Sequence, residues 1–104
     1  MTSEAFGTIE LVDEEAGPVL RLRGEVDSAV VALWDASDPG SNREAVAVDV
    51  SGTTFLDCRG LRAVVRHTEA ARQAGRVVEL RRPSNSVRRL VGMAGADRLF
   101  ATVA

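Results

Sequence analysis

Apolar and polar residues alternate at the start of the chain. Ile9 and Leu11 are interleaved with Thr8 and Glu10, and Leu20 and Leu22 with Arg21 and Arg23. A period of two predicts half-buried strands, and the intervening EEAGP supplies the turn residues of a hairpin. Gly24 ends the second strand. From Asp27 the period lengthens: Val30, Leu33, Trp34 and Ser37 fall at helical spacing, with Asp27 or Ser28 as N-cap. The run DPGSN at 38–42 breaks that helix.

AVAVDV at 45–50 is nearly continuous in its apolar residues, which predicts a central strand covered on both faces. In FLDCRGLRAVVRHTEAARQAG, at 55–75, Asp57 is placed to cap a helix. Its core face is Leu61, Val64, Val65, Thr68 and Ala70 or Ala71, and Gly75 closes it. RVVELR at 76–81 returns as a strand, so these segments form a βαβ unit with a right-handed crossover. Pro83 and Ser84 start a last helix with the stripe Val87, Leu90, Val91 and Ala94, stopped by Gly95; LFATV ends in a short strand. The order is ββαβαβα(β), an α/β fold in one domain over residues 1–104 with helices packed on a mixed sheet.

A chain of 104 residues that is 45% hydrophobic can build a core without disulfides or metal. Its single cysteine excludes an internal disulfide. No run approaches the roughly 20 apolar residues of a membrane span, and MTSEAFGTIE has no signal-peptide pattern. The expectation is a soluble, cytoplasmic protein. The net charge of -2 conceals an asymmetry: residues 1–57 hold 12 acids and 3 Arg, and residues 58–104 hold 3 acids and 10 Arg. No lysine occurs, so every side-chain cation other than the one histidine is a planar fork suited to carboxylate or phosphate. The acidic half and the lack of an aromatic stacking motif argue against nucleic acid as the partner.

Catalysis finds little support. His67 lies nine residues from Cys58 on one helix, about 13 Å along the axis, too far for a nucleophile–base pair. Neither a P-loop nor GxGxxG occurs, and one Cys with one His is too few for a zinc site. The chain is expected to be no enzyme, with no metal or cofactor of its own. His67 reads as a surface or helix-edge residue. What remains is a surface. Arg59, Arg62 and Arg66 recur at i, i+3 and i+7 opposite the apolar face, as either a solvated stripe or a docking stripe for an acidic partner. Asp57 reads first as a cap and second as a contact. Cys58 reads first as a small buried residue, and alternatively as a reactive thiol at a helix start.

Three phrases, in order, carry a family resemblance: GEVD at 24–27, VDVSGTTFLDCRGLRAVV at 48–65, and SNSVRRLVGMAGADRLF at 84–100. The chain resembles the STAS domain of bacterial anti-sigma factor antagonists over nearly its whole length. The resemblance implies a binding protein whose partner is both anti-sigma factor and serine/threonine kinase, ATP and magnesium belonging to that partner. In the family, the second Ser of Asp-Ser-Ser-Gly is phosphorylated, and the dianion at the helix start ends binding.

Here Cys58 and Arg59 stand where those two serines would be. Arg59 occupies the phosphoacceptor position and has no hydroxyl, so the usual switch cannot operate there. The resemblance therefore implies an atypical antagonist with a partner-binding edge of Asp27, Asp57, Cys58, Arg59, Arg62 and Arg66. Whether Ser51, Thr53 or Thr54 substitutes as phosphoacceptor stays open. Two other readings remain: a STAS-like accessory subunit of a lipid-transport ABC ATPase, and a redox-responsive module acting through Cys58.

Overall fold

The computed structural model describes residues 7–37 and 44–104. The element order is β1 (Thr8–Glu14), β2 (Gly17–Val26), α1 (Ser28–Ser37), β3 (Ala47–Leu56), α2 (Cys58–Gln73), β4 (Glu79–Arg81), α3 (Asn85–Met93), a 3-10 turn (Asp97–Leu99) and β5 (Ala101–Val103). This is the α/β order expected from the periodicities. The predicted helix-breaking run at 38–42 lies outside the described residues.

The five strands form one mixed sheet in chain order, β1-β2-β3-β4-β5. β1 is antiparallel to β2, and β2 through β5 are mutually parallel. Successive crossovers that advance in one direction, all of one hand, place α1, α2 and α3 on the same face. Burial agrees. Leu20, Leu22, Val48, Val50 and Leu80 from the strands share one cluster with Val30, Leu61, Val64, Val87 and Val91 from the helices.

That layering corrects the expectation for AVAVDV, because helices cover the central strand on one face only. On the reverse face Asp49 is in register with Arg21 on β2 and Arg81 on β4. Arg21 approaches Glu10 at 3.8 Å, and Arg81 reaches Glu14 at 3.1 Å and Glu79 at 3.0 Å. Ala47 and Val19 are buried, yet they lie outside the cluster that the described helices share with the sheet. The apolar run predicted two covered faces because a small residue beside long Arg and Glu side chains can be buried without a helix over it.

β3 is also displaced from its predicted span, running from Ala47 to Leu56 instead of 45–50. The polar stretch SGTT lies beyond the predicted strand, but β2 continues beside it, pairing Arg23 with Gly52, Gly24 with Thr53, Glu25 with Phe55 and Val26 with Leu56. Two register shifts absorb the irregular pattern. Thr53 is buried, and its hydroxyl donates to the Leu22 carbonyl at 2.9 Å. In contrast, β4 is only Glu79–Arg81, half the predicted strand.

α2 begins at its predicted cap and ends at its predicted stop. The Asp57 carboxylate accepts from the Gly60 amide at 2.8 Å. At the other end Gly75 takes φ +84°, the left-handed conformation that favours glycine. There the Arg76 amide donates to the Ala71 carbonyl at 3.0 Å and the Gly75 amide to Arg72 at 2.9 Å, a Schellman closure. Ala71 is the buried residue of the 70/71 pair, and Val65 is only half-buried. Thr68 is fully buried and satisfied: it donates to the Val64 carbonyl at 2.8 Å and accepts from Arg72 at 2.6 Å.

Two stability predictions follow from these contacts. A Cβ on Gly60 would stand 2.6 Å from Leu56 Cδ1 and 2.9 Å from the Val26 carbonyl oxygen. Gly60→Ala should therefore destabilise by about 1–3 kcal/mol despite alanine's better helix propensity, read as a lower urea midpoint. The second concerns acid. Burial pushes the Asp49 carboxyl up, but hydrogen bonds from the Ser51 backbone and hydroxyl, with Arg21 and Arg82 nearby, outweigh it and hold the carboxyl below 3.8. A depressed folded-state pKa contributes stability above the unfolded value, and that stability is lost as pH falls through the folded value. Asp49→Asn should thus be less stable than wild type at neutral pH, the two curves converging in acid; parallel curves would count against this role.

Candidate functional site

The site is built where β2 and β3 end together. Val26 and Leu56 are the last paired residues, and the Asp57 amide donates to the Val26 carbonyl at 3.2 Å. Each strand then turns directly into a helix capped by a carboxylate. Asp27 Oδ1 accepts from the Val30 amide at 3.1 Å, and its carbonyl accepts from Val31 at 3.0 Å. Asp57 repeats the arrangement with Gly60 and with Leu61 at 2.9 Å. Asp27 and Asp57, expected on one edge, thus follow directly from two paired residues. Both carboxylates serve as N-caps, a role worth about 0.5–2 kcal/mol each.

The arginine stripe is exposed at all three positions, Arg59, Arg62 and Arg66, but it is not uniform. Arg66 lies 3.4 Å from both carboxylate oxygens of Asp35 on α1, with each side chain about half exposed. A surface pair of this kind contributes roughly 0–1 kcal/mol, and it ties Arg66 to the neighbouring helix. Among the described residues, Arg59 and Arg62 make no ion pair.

Two expectations are corrected here. Cys58 is exposed, not packed as a small core residue. Its position is the first of α2, and the inward-facing places of that turn belong to Gly60 and Leu61. His67 is half-buried and not on the open surface: its ring meets Trp34 of α1 edge-on, with centroids 4.4 Å apart. It packs between helices, and its carbonyl accepts from the Ala45 amide at 2.9 Å. Among the described residues there is no group of three or more His, Cys, Asp or Glu that could hold a metal ion. No helix described is long and apolar enough to cross a membrane.

Sequence reasoning missed three features of this end of the molecule. Phe55 is 51% exposed, immediately before the inward Leu56. The alternation around FLD carried that signal, but the register shift in β3 decides which of the two residues points out. Met93, at the end of α3, is 79% exposed. Beside it an open groove of about 380 Å³ runs between α2, at Cys58, Leu61, Arg62 and Val65, and the segment Ala94, Gly95, Ala96 and Leu99. The groove joins residues more than 30 positions apart, so no local pattern announces it.

The comparisons with known proteins agree with this architecture. Residues 9–101 match the family model described as Mlab, STAS domain. No curated protein sequence is similar enough to the chain to count as a match. Among solved structures, the anti-sigma factor antagonist SpoIIAA in its unphosphorylated form is similar, with a TM-score of 0.69 and 19% identity over 92% of this chain and 88% of that one. An anti-sigma factor antagonist from Mycobacterium paratuberculosis is similar with a TM-score of 0.72 and 18% identity, covering 98% of this chain and 89% of that one. At such identities the likeness is one of fold.

The exposure of Cys58 sets a direct test. A thiol reagent should label the native protein within a few-fold of the rate for the unfolded chain. Labelling that becomes fast only on denaturation would mean that the thiol is covered in solution.

Proposed function

The chain belongs to the STAS domain family, and on that premise we propose that it is a binding module of the anti-sigma factor antagonist type. Its partner in this reading is a cytoplasmic anti-sigma factor that is also a serine/threonine kinase. Binding withdraws that protein from its sigma factor and so controls transcription. ATP and magnesium stay with the partner, and this chain supplies a surface, not catalysis.

The observation that carries the reading is the exposed start of α2, where Cys58, Arg59 and Arg62 face solvent beside two capped helix ends. The caps hold that end of the sheet rigid, so a partner meets a preformed surface and loses little ordering entropy. Arg59 fills the position where the resemblance places a phosphoserine. A guanidinium at a helix N-terminus opposes the dipole by only about 0.3–1 kcal/mol. The Asp57 carboxylate, one residue before α2, offsets part of that.

Without a hydroxyl at 59, partner switching has no phosphate to use there. Thr53 is also unavailable, since its hydroxyl is buried and bonded to the Leu22 carbonyl. Ser51 and Thr54 are exposed. In the proposed reading neither substitutes, and the complex is constitutive. Incubation with the partner kinase and ATP should therefore leave Ser51, Thr53 and Thr54 unmodified by mass spectrometry. Stoichiometric phosphate on Ser51 or Thr54 would restore the switch and sink this part of the proposal.

Binding provides the main test. The partner, recovered by pull-down and identified, is titrated calorimetrically with wild type and variants. Arg59→Glu should weaken binding at least tenfold, about 1.4 kcal/mol, with the melting temperature almost unchanged. Arg89→Glu, at an exposed position of α3, should do little. Equal affinity of Arg59→Glu and wild type would move the binding surface elsewhere. Recovery of the ATPase of a lipid-transport complex instead would favour the accessory-subunit reading. The exposure of Cys58 supports one second reading, a redox-responsive module, which requires binding that changes with the thiol's oxidation state.

A further inference from the structure

The groove beside α2 is a consequence of how α3 ends. Met93 closes the helix, and the chain reverses through Ala94, Gly95 and Ala96. Gly95 takes φ +71°, with the Ala96 amide donating to the Val91 carbonyl at 2.9 Å. These residues carry almost no side chain, so the wall facing α2 stands back. Leu61, Val65 and Leu99 supply apolar surface, and Cys58 and Arg62 complete the lining. The groove is open to solvent and has a volume of about 380 Å³.

We propose that this groove receives an apolar side chain from an acidic segment of a protein partner, with Arg62 and Arg59 meeting the carboxylates that flank it. The inference rests on the reading of the α2 start as the partner-facing surface, and it adds where the partner is anchored. Charge complementarity selects the occupant. Arg62 is the one charged residue lining the groove, and Arg59 is exposed one residue past Cys58. Both are without ion-pair partners among the described residues. The half of the chain that builds the groove carries 10 Arg against 3 acids. A basic segment would be repelled, and a purely apolar one would leave the two guanidiniums unmatched. An apolar anchor within a charged rim is the usual anatomy of a binding hot spot.

The test is an NMR titration of the full chain with matched blocked peptides. One is acidic with a central Leu-Phe pair, one is its lysine counterpart, and one is acidic with the pair replaced by Ala. The first alone should shift the amides of Leu61, Arg62, Val65, Ala94, Gly95 and Ala96. Ala94→Trp, which fills the groove from an exposed position, should abolish those shifts. Arg62→Glu should weaken them at least about tenfold in peptide concentration, with melting temperatures unchanged. Shifts that map elsewhere, equal response to the Ala or lysine peptides, or no response at millimolar peptide would each overturn the proposal. So would concentration-dependent shifts of the same amides without peptide, which would make a second copy of the chain the occupant. The two readings separate cleanly. If the identified partner loses affinity for Arg59→Glu but binds Ala94→Trp like wild type, the groove fails and the partner surface stands.

Discussion

The backbone bond from the Asp57 amide to the Val26 carbonyl closes the β2–β3 ladder at the level where two helices start. Both strands are ten residues long, and they stay paired through two register shifts to reach that point together. Because both chains leave the sheet at one height, Asp27 and Asp57 become N-caps at the same end. Gly60 is what permits the approach, since any Cβ there would press on the Val26 carbonyl and the Leu56 side chain. The exposed positions Cys58, Arg59 and Arg62 are defined by this close contact. With Gly60, Leu61, Ala63 and Val64 turned inward, only those three places in the first turns are left to face solvent.

The sheet order has an electrostatic consequence. Strands that lie in chain order turn a charge gradient along the sequence into one across the molecule. The acidic half builds the hairpin edge and the basic half builds α2, α3 and the opposite edge. Internal pairs such as Arg81 with Glu14 and Arg66 with Asp35 stitch the halves together. They do not consume Arg59 and Arg62. Among the described residues these two cations have no ion pair; in the proposed binding they would steer an acidic partner, and long-range steering of this kind acts mainly on association rate.

The reverse face of the sheet shows how one charged network substitutes for a layer of helices. Glu10, Arg21, Asp49 and Arg81 stand in register across four strands, with Glu14 and Glu79 completing the pairs. Val19 and Ala47 stay buried although they lie outside the cluster shared with the described helices. The network keeps charged groups on that face.

Much of the fold was legible because local rules acted alone. The period-two hairpin, the Asp57 cap, the Gly75 and Gly95 stops and the stripe on α2 each depend on a few neighbouring residues, and each appears in the structure. The failures share a cause. AVAVDV, the end of β3, Cys58 and His67 were misjudged because their surroundings are set by packing: Arg81 across the sheet, β2 alongside β3, the inward turn of Gly60, and Trp34 on α1. The arginine stripe was visible in the sequence, but only packing could separate Arg66, tied to Asp35, from the unpaired Arg59 and Arg62. The groove likewise exists only once Ala94–Leu99 lies against α2. By itself the sequence determined the elements, their order and which residue types stand at the α2 start, because periodicity and capping are short-range. Tertiary structure alone decided exposure, pairing and the groove, because those are set by contacts between residues far apart in the chain.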